Sequence, residues 1–177
     1  MEKMIFVIRK AIEEDIPKIY EITKTVFNVY AENVGITGSI PALGETYEDI
    51  KNDIKTKEVF VAILDEEVIG SVRIEVKPDK TAYLSRFGVQ LDYQSIGVGK
   101  ILMNAVDSAM INLGITNLYL HTASKMLSLI KFYYGRGFYI ELTTKERGYI
   151  RALLRKDYEI AKTATSLDIV EKNRDAI

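Results

Sequence analysis

The stretch Asp92–Leu102 reads DYQSIGVGKIL, with Gly97 and Gly99 one residue apart, three residues after Gln94 and just ahead of Lys100. Val89 closes a β-rich run before it, and Leu102, Ala105, Val106, Ala109 and Leu113 follow at helical spacing. A helix start leaves backbone N–H groups unpaired and gathers partial positive charge. With no side chain at Gly97 or Gly99, an anion can come close to those amides, and Lys100 can add a full charge. Gln94 can bond the same guest or hold the loop. The chemistry best matched is a pyrophosphate, with a simple corner-turning role for the glycines standing beside it. A Walker loop is excluded, because no Gly-Lys-Ser/Thr occurs at that spacing, and the dinucleotide fingerprint needs a third glycine.

Such a loop needs a fold to hold it. The chain has 177 residues, the size of one domain, with 47% hydrophobic and 28% charged residues, as in a soluble globular protein. Lys and Arg total 24 against 25 Asp and Glu, a formal charge of −1 that argues against nucleic acid or an acidic membrane as partner. There is no cysteine, and His121 is the only histidine. Disulfides, thiol nucleophiles and Cys- or His-rich metal centres are therefore excluded, and no metal is expected. The longest apolar runs, Met4–Ile8 and Val59–Leu64, are too short to span a bilayer, and the N-terminus lacks a secretory pattern. A cytoplasmic protein is the expectation.

Periodicity gives the element order β-α-α-β-β-β-α-β-α-β-β. Met4–Ile8 reads as a first strand. Asp15 is placed to cap a helix that has Pro17 in its first turn and Ile16, Ile19, Ile22 and Val26 on one face. Asn33–Gly44 is loop-like, and Thr46 caps a second helix bearing Ile50 and Ile54. VFVAIL, VIGSVRIEV and TAYLSRFGV then form an antiparallel meander joined by short turns. A helix ended by Gly114, the strand LYLHT, a helix capped by Ser124 and closed by Gly135, and strands at Phe138–Leu142 and Tyr149–Leu154 complete one α/β (α+β) domain over residues 1–157. Residues 158–177 read as a C-terminal extension, either a short helix or a loose tail.

Gln94-x-x-Gly97-x-Gly99, after a strand ending at Val89 and before an amphipathic helix, resembles the acetyl-CoA signature of the GCN5-related N-acetyltransferases (GNAT). KFYYGRGF, Lys131–Phe138, is similar to that family's aliphatic-Tyr-x-x-x-Gly-Phe element. The separation of the two motifs and the element order also match, and the resemblance covers about residues 4–157. It implies a single-domain fold with a mixed, mostly antiparallel central sheet flanked by helices, and one splayed pair of parallel strands. It further implies acetyl-CoA as co-substrate, held by the amides of Gln94, Ser95, Ile96, Gly97, Val98, Gly99 and Lys100. Val89 and Leu91 would then line the pantetheine, with the Val89 N–H facing the thioester oxygen. Gly88 fits a close approach of backbone and ligand, or a bulge.

The same resemblance makes Tyr133 the acid that protonates the departing thiolate; packing as a core aromatic is the other reading of that residue. The acceptor is expected to be a primary amine of a small molecule or peptide, attacked directly, with no nucleic acid or membrane partner and with room for a homodimer. The sequence departs from the family at two points. Met126 stands where an Asn commonly binds the CoA arm, and Tyr83 stands where some members place a Glu base. Glu75, His121 or a water chain remain as base. Tyr30, Arg73, Arg86, Arg147 and Tyr149 fall where the acceptor would lie; Arg73 and Arg86 suit a carboxylate on it, and Glu75 suits a polyamine. A domain that binds acyl-CoA without transferring it is the alternative. An ATP-using enzyme lacks an acidic Mg²⁺ site at a recognisable spacing.

Overall fold

The computed structural model describes residues 4–159. The first strand, β1, is Val7–Lys10, three residues later than expected; Met4 and Ile5 lie outside it and are exposed. A 3-10 turn, Glu13–Asp15, leads into α1, Ile16–Val34. Asp15 does not cap that helix. Its carboxylate accepts the Ile12 N–H at 2.8 Å and pairs with Arg9 at 2.7 Å, so it fixes the entry to α1 from outside. A second 3-10 turn, Pro41–Gly44, precedes α2, Tyr47–Thr56. Thr46 caps α2 as expected and exchanges bonds with Asp49 in a capping box.

The meander is β2, Glu58–Leu64, β3, Glu67–Val76, and β4, Thr81–Val89. After it come α3, Val98–Asn112, β5, Asn117–Ala123, and α4, Leu127–Tyr134. The chain enters α4 through Met126, not Ser124. The final hairpin is β6, Tyr139–Thr144, and β7, Arg151–Asp157, later in the chain than the sequence pattern indicates, so Tyr149 precedes β7.

One seven-stranded sheet carries the order β1-β2-β3-β4-β5-β7-β6. Every pairing is antiparallel except β4 with β5, which holds only from Thr81–Tyr83 against Asn117–Tyr119. Beyond that point β4 runs on to Val89 and β5 to Ala123 unpaired with each other, which is the splayed pair. A bulge in β4 helps to open it: the register with β3 slips between Arg73↔Ser85 and Ser71↔Gly88, and Arg86 takes a left-handed φ of +52°. One face of the sheet is covered by α3, where Leu102, Met103, Val106 and Met110 are fully buried against Val72, Ile74, Leu118 and Leu120. Leu113, read as part of that stripe, is instead 41% exposed at the end of the helix. The other face carries α1 and α2, with Ile16, Ile19, Ile22 and Ile50 against Val59, Val61 and Val68. The slit between β4 and β5 therefore runs between two packed layers. The expectation for the 158–177 extension falls almost wholly outside the described residues. Tyr158 begins it, with its N–H on the Thr116 carbonyl and its hydroxyl on Asp107.

Candidate active site

Sheet pairing ends abruptly at the head of α3. Gln90 donates its N–H to the Ile69 carbonyl at 2.8 Å, and a 3-10 turn at Leu91–Tyr93 redirects the chain. Leu91 sits on that turn and is 41% exposed, off the strand edge. The Gln94 side-chain amide donates back to the Val89 carbonyl at 3.0 Å, so this residue holds the loop. Ser95 and Gly97 take left-handed φ values of +66° and +96°. Alternating handedness turns successive amides toward one side, the geometry of an anion-binding nest. Among the described residues, no N–H from Ser95 through Lys100 finds an acceptor; Ile101 is the first to donate, to Gly97 O at 3.1 Å. Ser95, Ile96, Gly97 and Lys100 are exposed, while Val98 is buried and anchors the turn.

The two glycines are required for different reasons. At Gly97 a Cβ would meet nothing within 4 Å, and the backbone angle is what excludes a side chain. At Gly99 a Cβ would stand 3.0 Å from Phe87 Cζ, so packing also keeps that position bare. Gly88 lies past the bulge, and its missing Cβ faces Val26 of α1 at 3.4 Å.

Since the Gln90 amide points to β3, strand alternation turns the Val89 amide toward the slit. Tyr133 approaches from α4. It is 4% exposed and ringed by Phe87, Phe132 and Phe138, with centroids 5.4 to 6.3 Å away. Its hydroxyl has no hydrogen-bond partner among the described residues, is not one of the sealed polar atoms, and lies close enough to the Tyr30 phenol to feel its charge. Burial drives its pKa far up, with the Tyr30 phenol adding to the rise, and the proton stays on the oxygen at any physiological pH. Tyr30 reaches the same slit from α1, on the opposite side of the sheet, and its hydroxyl accepts the Ala123 N–H at 2.7 Å. Burial raises the Tyr30 pKa too, and half-buried Tyr149 reinforces the effect.

The α1–α2 face carries the remaining candidates. Glu75 is exposed and sits opposite Tyr83 in the β3–β4 register. The Tyr83 hydroxyl lies 2.6 Å from His121 Nδ1, bridging β4 and β5 where their pairing ends. Burial lowers the His121 pKa, and the charges of Arg151 and Arg147 lower it further against the pull of Glu146. The ring is thus neutral at pH 7. Tyr83, at the place of a base, is a partner to that ring and no carboxylate substitute; burial raises its pKa although Arg151 and Arg147 oppose this.

Arg73 corrects the sequence reading, and Arg86 shares its carboxylate partner. Arg73 is 1% exposed, with Nη1 2.5 Å from Glu45 and 2.9 Å from Asp53. Arg86 gives its Nε to the other Glu45 oxygen at 2.7 Å. Both are therefore held by Glu45, itself buried, on the loop that Lys24 pins through the Leu43 and Glu45 carbonyls. The Arg73 guanidinium is thereby withdrawn from any acceptor carboxylate, while Arg86 commits its Nε to Glu45 and stays partly exposed. The sequence reading also missed Arg151. It lies opposite Ala123 in the β5–β7 register and so shares the face of His121. The only available signal was the two-residue alternation of β7.

A mixed sheet whose single parallel pair opens beside a bare helix N-terminus defines an acetyltransferase fold of the GNAT class. The profile of the acetyltransferase (GNAT) family matches residues 16–138, and the chain belongs to that family. Solved structures agree in fold. The PaiA N-acetyltransferase of Thermoplasma acidophilum, in complex with coenzyme A, is similar with a TM-score of 0.77 at 22% identity, over 88% of this chain and 100% of that one. The ribosomal-protein-S18-alanine N-acetyltransferase of Escherichia coli gives 0.73 at 15% identity, over 91% and 99%. Ard1 of Thermoplasma volcanium gives 0.71 at 19%, over 87% and 98%.

Proposed function

We propose that the protein moves an acetyl group from acetyl-CoA to a primary amine of a small molecule or peptide by direct attack. The observation that carries this is the run of acceptor-less amides from Ser95 to Lys100, set at the head of α3 beside the opened β4–β5 slit. Those amides and Lys100 suit the diphosphate, with Gly97 and Gly99 giving access. Val89 and Leu91 flank the pantetheine path, and the Val89 N–H supports charge developing on the thioester oxygen. Acetyl-CoA supplies the activated acyl group. The chain's residues supply orientation and proton management, and holding the reactants together is itself a large part of the acceleration.

His121 is the base assigned to the incoming ammonium, since its ring is neutral and Tyr83 orients it. Glu75 is the second candidate, more exposed and, among the described residues, without a hydrogen-bond partner that would aim it. Tyr133 gives the thiolate its proton or hydrogen bond. Its raised pKa makes it a weak acid but one always loaded. Among the described residues no group of three His, Cys, Asp or Glu side chains could hold a metal, and no helix is long and apolar enough to cross a membrane. A cytoplasmic setting fits this chemistry, as does action without a metal.

The test is acetyl-CoA titration by calorimetry, followed by a screen of amines with detection of released thiol. Binding with amine-dependent thiol release is expected. Binding without release from any amine would leave a non-transferring acyl-CoA module, and no binding would end the proposal.

A further inference from the structure

Among the described arginines, five have a carboxylate within 4.0 Å: Arg9, Arg73, Arg86, Arg136 and Arg155. Arg147 and Arg151 have none there. Arg147 is exposed on the β6–β7 turn, where water solvates its charge. Arg151 is different, because only 9% of its surface is exposed and no described carboxylate lies within 4.0 Å of it; the neutral Tyr83 hydroxyl is the described group within its hydrogen-bonding reach. A cation largely withdrawn from water without a counter-ion is costly, and proteins keep such groups where something else supplies the charge.

Its position says what that charge can meet. Arg151 stands opposite Ala123, whose amide holds the Tyr30 hydroxyl at the slit. On the same sheet face, two residues back along β5, is His121 with its Tyr83 partner. An amine delivered to His121 therefore has Arg151 beside it. We infer that Arg151, with Arg147 at the rim, binds an anionic group on the acceptor, so that the favoured substrate is an amine bearing its own carboxylate, such as a free amino acid. This rests on the acetyl-transfer reading above and narrows its substrate class. The planar guanidinium fork matches a carboxylate with two parallel hydrogen bonds. The same pair of positive charges disfavours a polyamine, whose extra ammonium groups would lie against them.

The experiment uses the intact protein with acetyl-CoA and matched acceptors: amino acids, the corresponding amino-acid amides, and linear polyamines. Amino acids should show the highest kcat/KM. Replacing the guanidinium in Arg151→Gln should raise their KM about 10- to 100-fold, the usual range for losing hydrogen bonds to a charged group, while the amides keep their KM. Arg151→Lys should restore part of the loss. Calorimetric binding of acetyl-CoA at wild-type affinity shows that each variant is folded with its cofactor site intact. Amides or polyamines matching amino acids would overturn the inference and leave acetyl transfer standing, as would an equal KM rise for amino acids and amides in Arg151→Gln. Acetyl-CoA binding with no turnover of any carboxylate-bearing amine would also overturn it. Failure of the wild type to bind acetyl-CoA would instead overturn the parent reading.

Discussion

Tyr133→Phe removes a single oxygen from the molecule, and the structure separates what that oxygen does for folding from what it does for catalysis. A buried tyrosine hydroxyl that is hydrogen-bonded contributes about 0.5–1.5 kcal/mol to stability. Here the hydroxyl makes no bond among the described residues, and the ring's contacts with Phe87, Phe132 and Phe138 survive in phenylalanine. The expected stability change is thus within about 0.5 kcal/mol of zero, a Tm shift of about 2 °C or less for a domain of this size. Catalysis should respond much more. An ordinary phenol has a pKa of about 10 against about 8.5 for a thiol, so proton delivery is already uphill by about 2 kcal/mol. Burial raises the Tyr133 pKa further, which places its contribution at the lower end of the range for general acids, about 10²-fold in kcat. Acetyl-CoA affinity should change little. The assays are calorimetric binding, thermal unfolding and thiol release under saturating acceptor. An unchanged kcat would refute the acid role; a Tm fall of several degrees would refute the claim that the hydroxyl is structurally unemployed.

Gly97→Ala places a side chain where φ is +96° with open space around it, so it should cost about 1–2 kcal/mol of strain and weaken acetyl-CoA binding at least tenfold; an unaltered Kd by calorimetry would count against the loop amides. Arg73→Gln removes one of the two cations that hold buried Glu45 and should lower stability by about 3–5 kcal/mol in urea titration, and an unchanged midpoint would contradict the buried network. His121 has a pKa lowered by burial and by Arg151 and Arg147, so the folded state binds fewer protons than the unfolded one. The stability it contributes is complete above the unfolded value of about 6.5 and is lost as pH falls below it. His121→Asn should flatten the stability profile between about pH 5 and 7, and an identical slope in urea titrations of both proteins would refute the assignment.

Much of this was written locally. The bare loop before α3, the Tyr133 motif, the Thr46 cap and the order of all eleven major elements follow from short-range rules, in which a side chain meets backbone a few residues away. Element ends were less legible: β1 and the final hairpin lie later than the apolar runs suggest, because pairing with β2 and β5 sets where a strand begins. Asp15 was misread for a similar reason, since the N–H it accepts lies before the helix and its cation comes from β1.

Charge availability was the least legible feature. Arg73, Arg86 and Arg151 are the same residue type on three strands of one sheet, and nothing local distinguishes them. Glu45 and Asp53 arrive from the α1–α2 loop and α2 to claim Arg73, and Glu45 also claims Arg86, while no described carboxylate reaches Arg151. Sequence by itself determined the anion-ready loop and the tyrosine, because backbone geometry and a short motif carry them. The tertiary structure alone decided which buried cation beside His121 has no described carboxylate, because burial and ion pairing depend on residues brought together from distant parts of the chain.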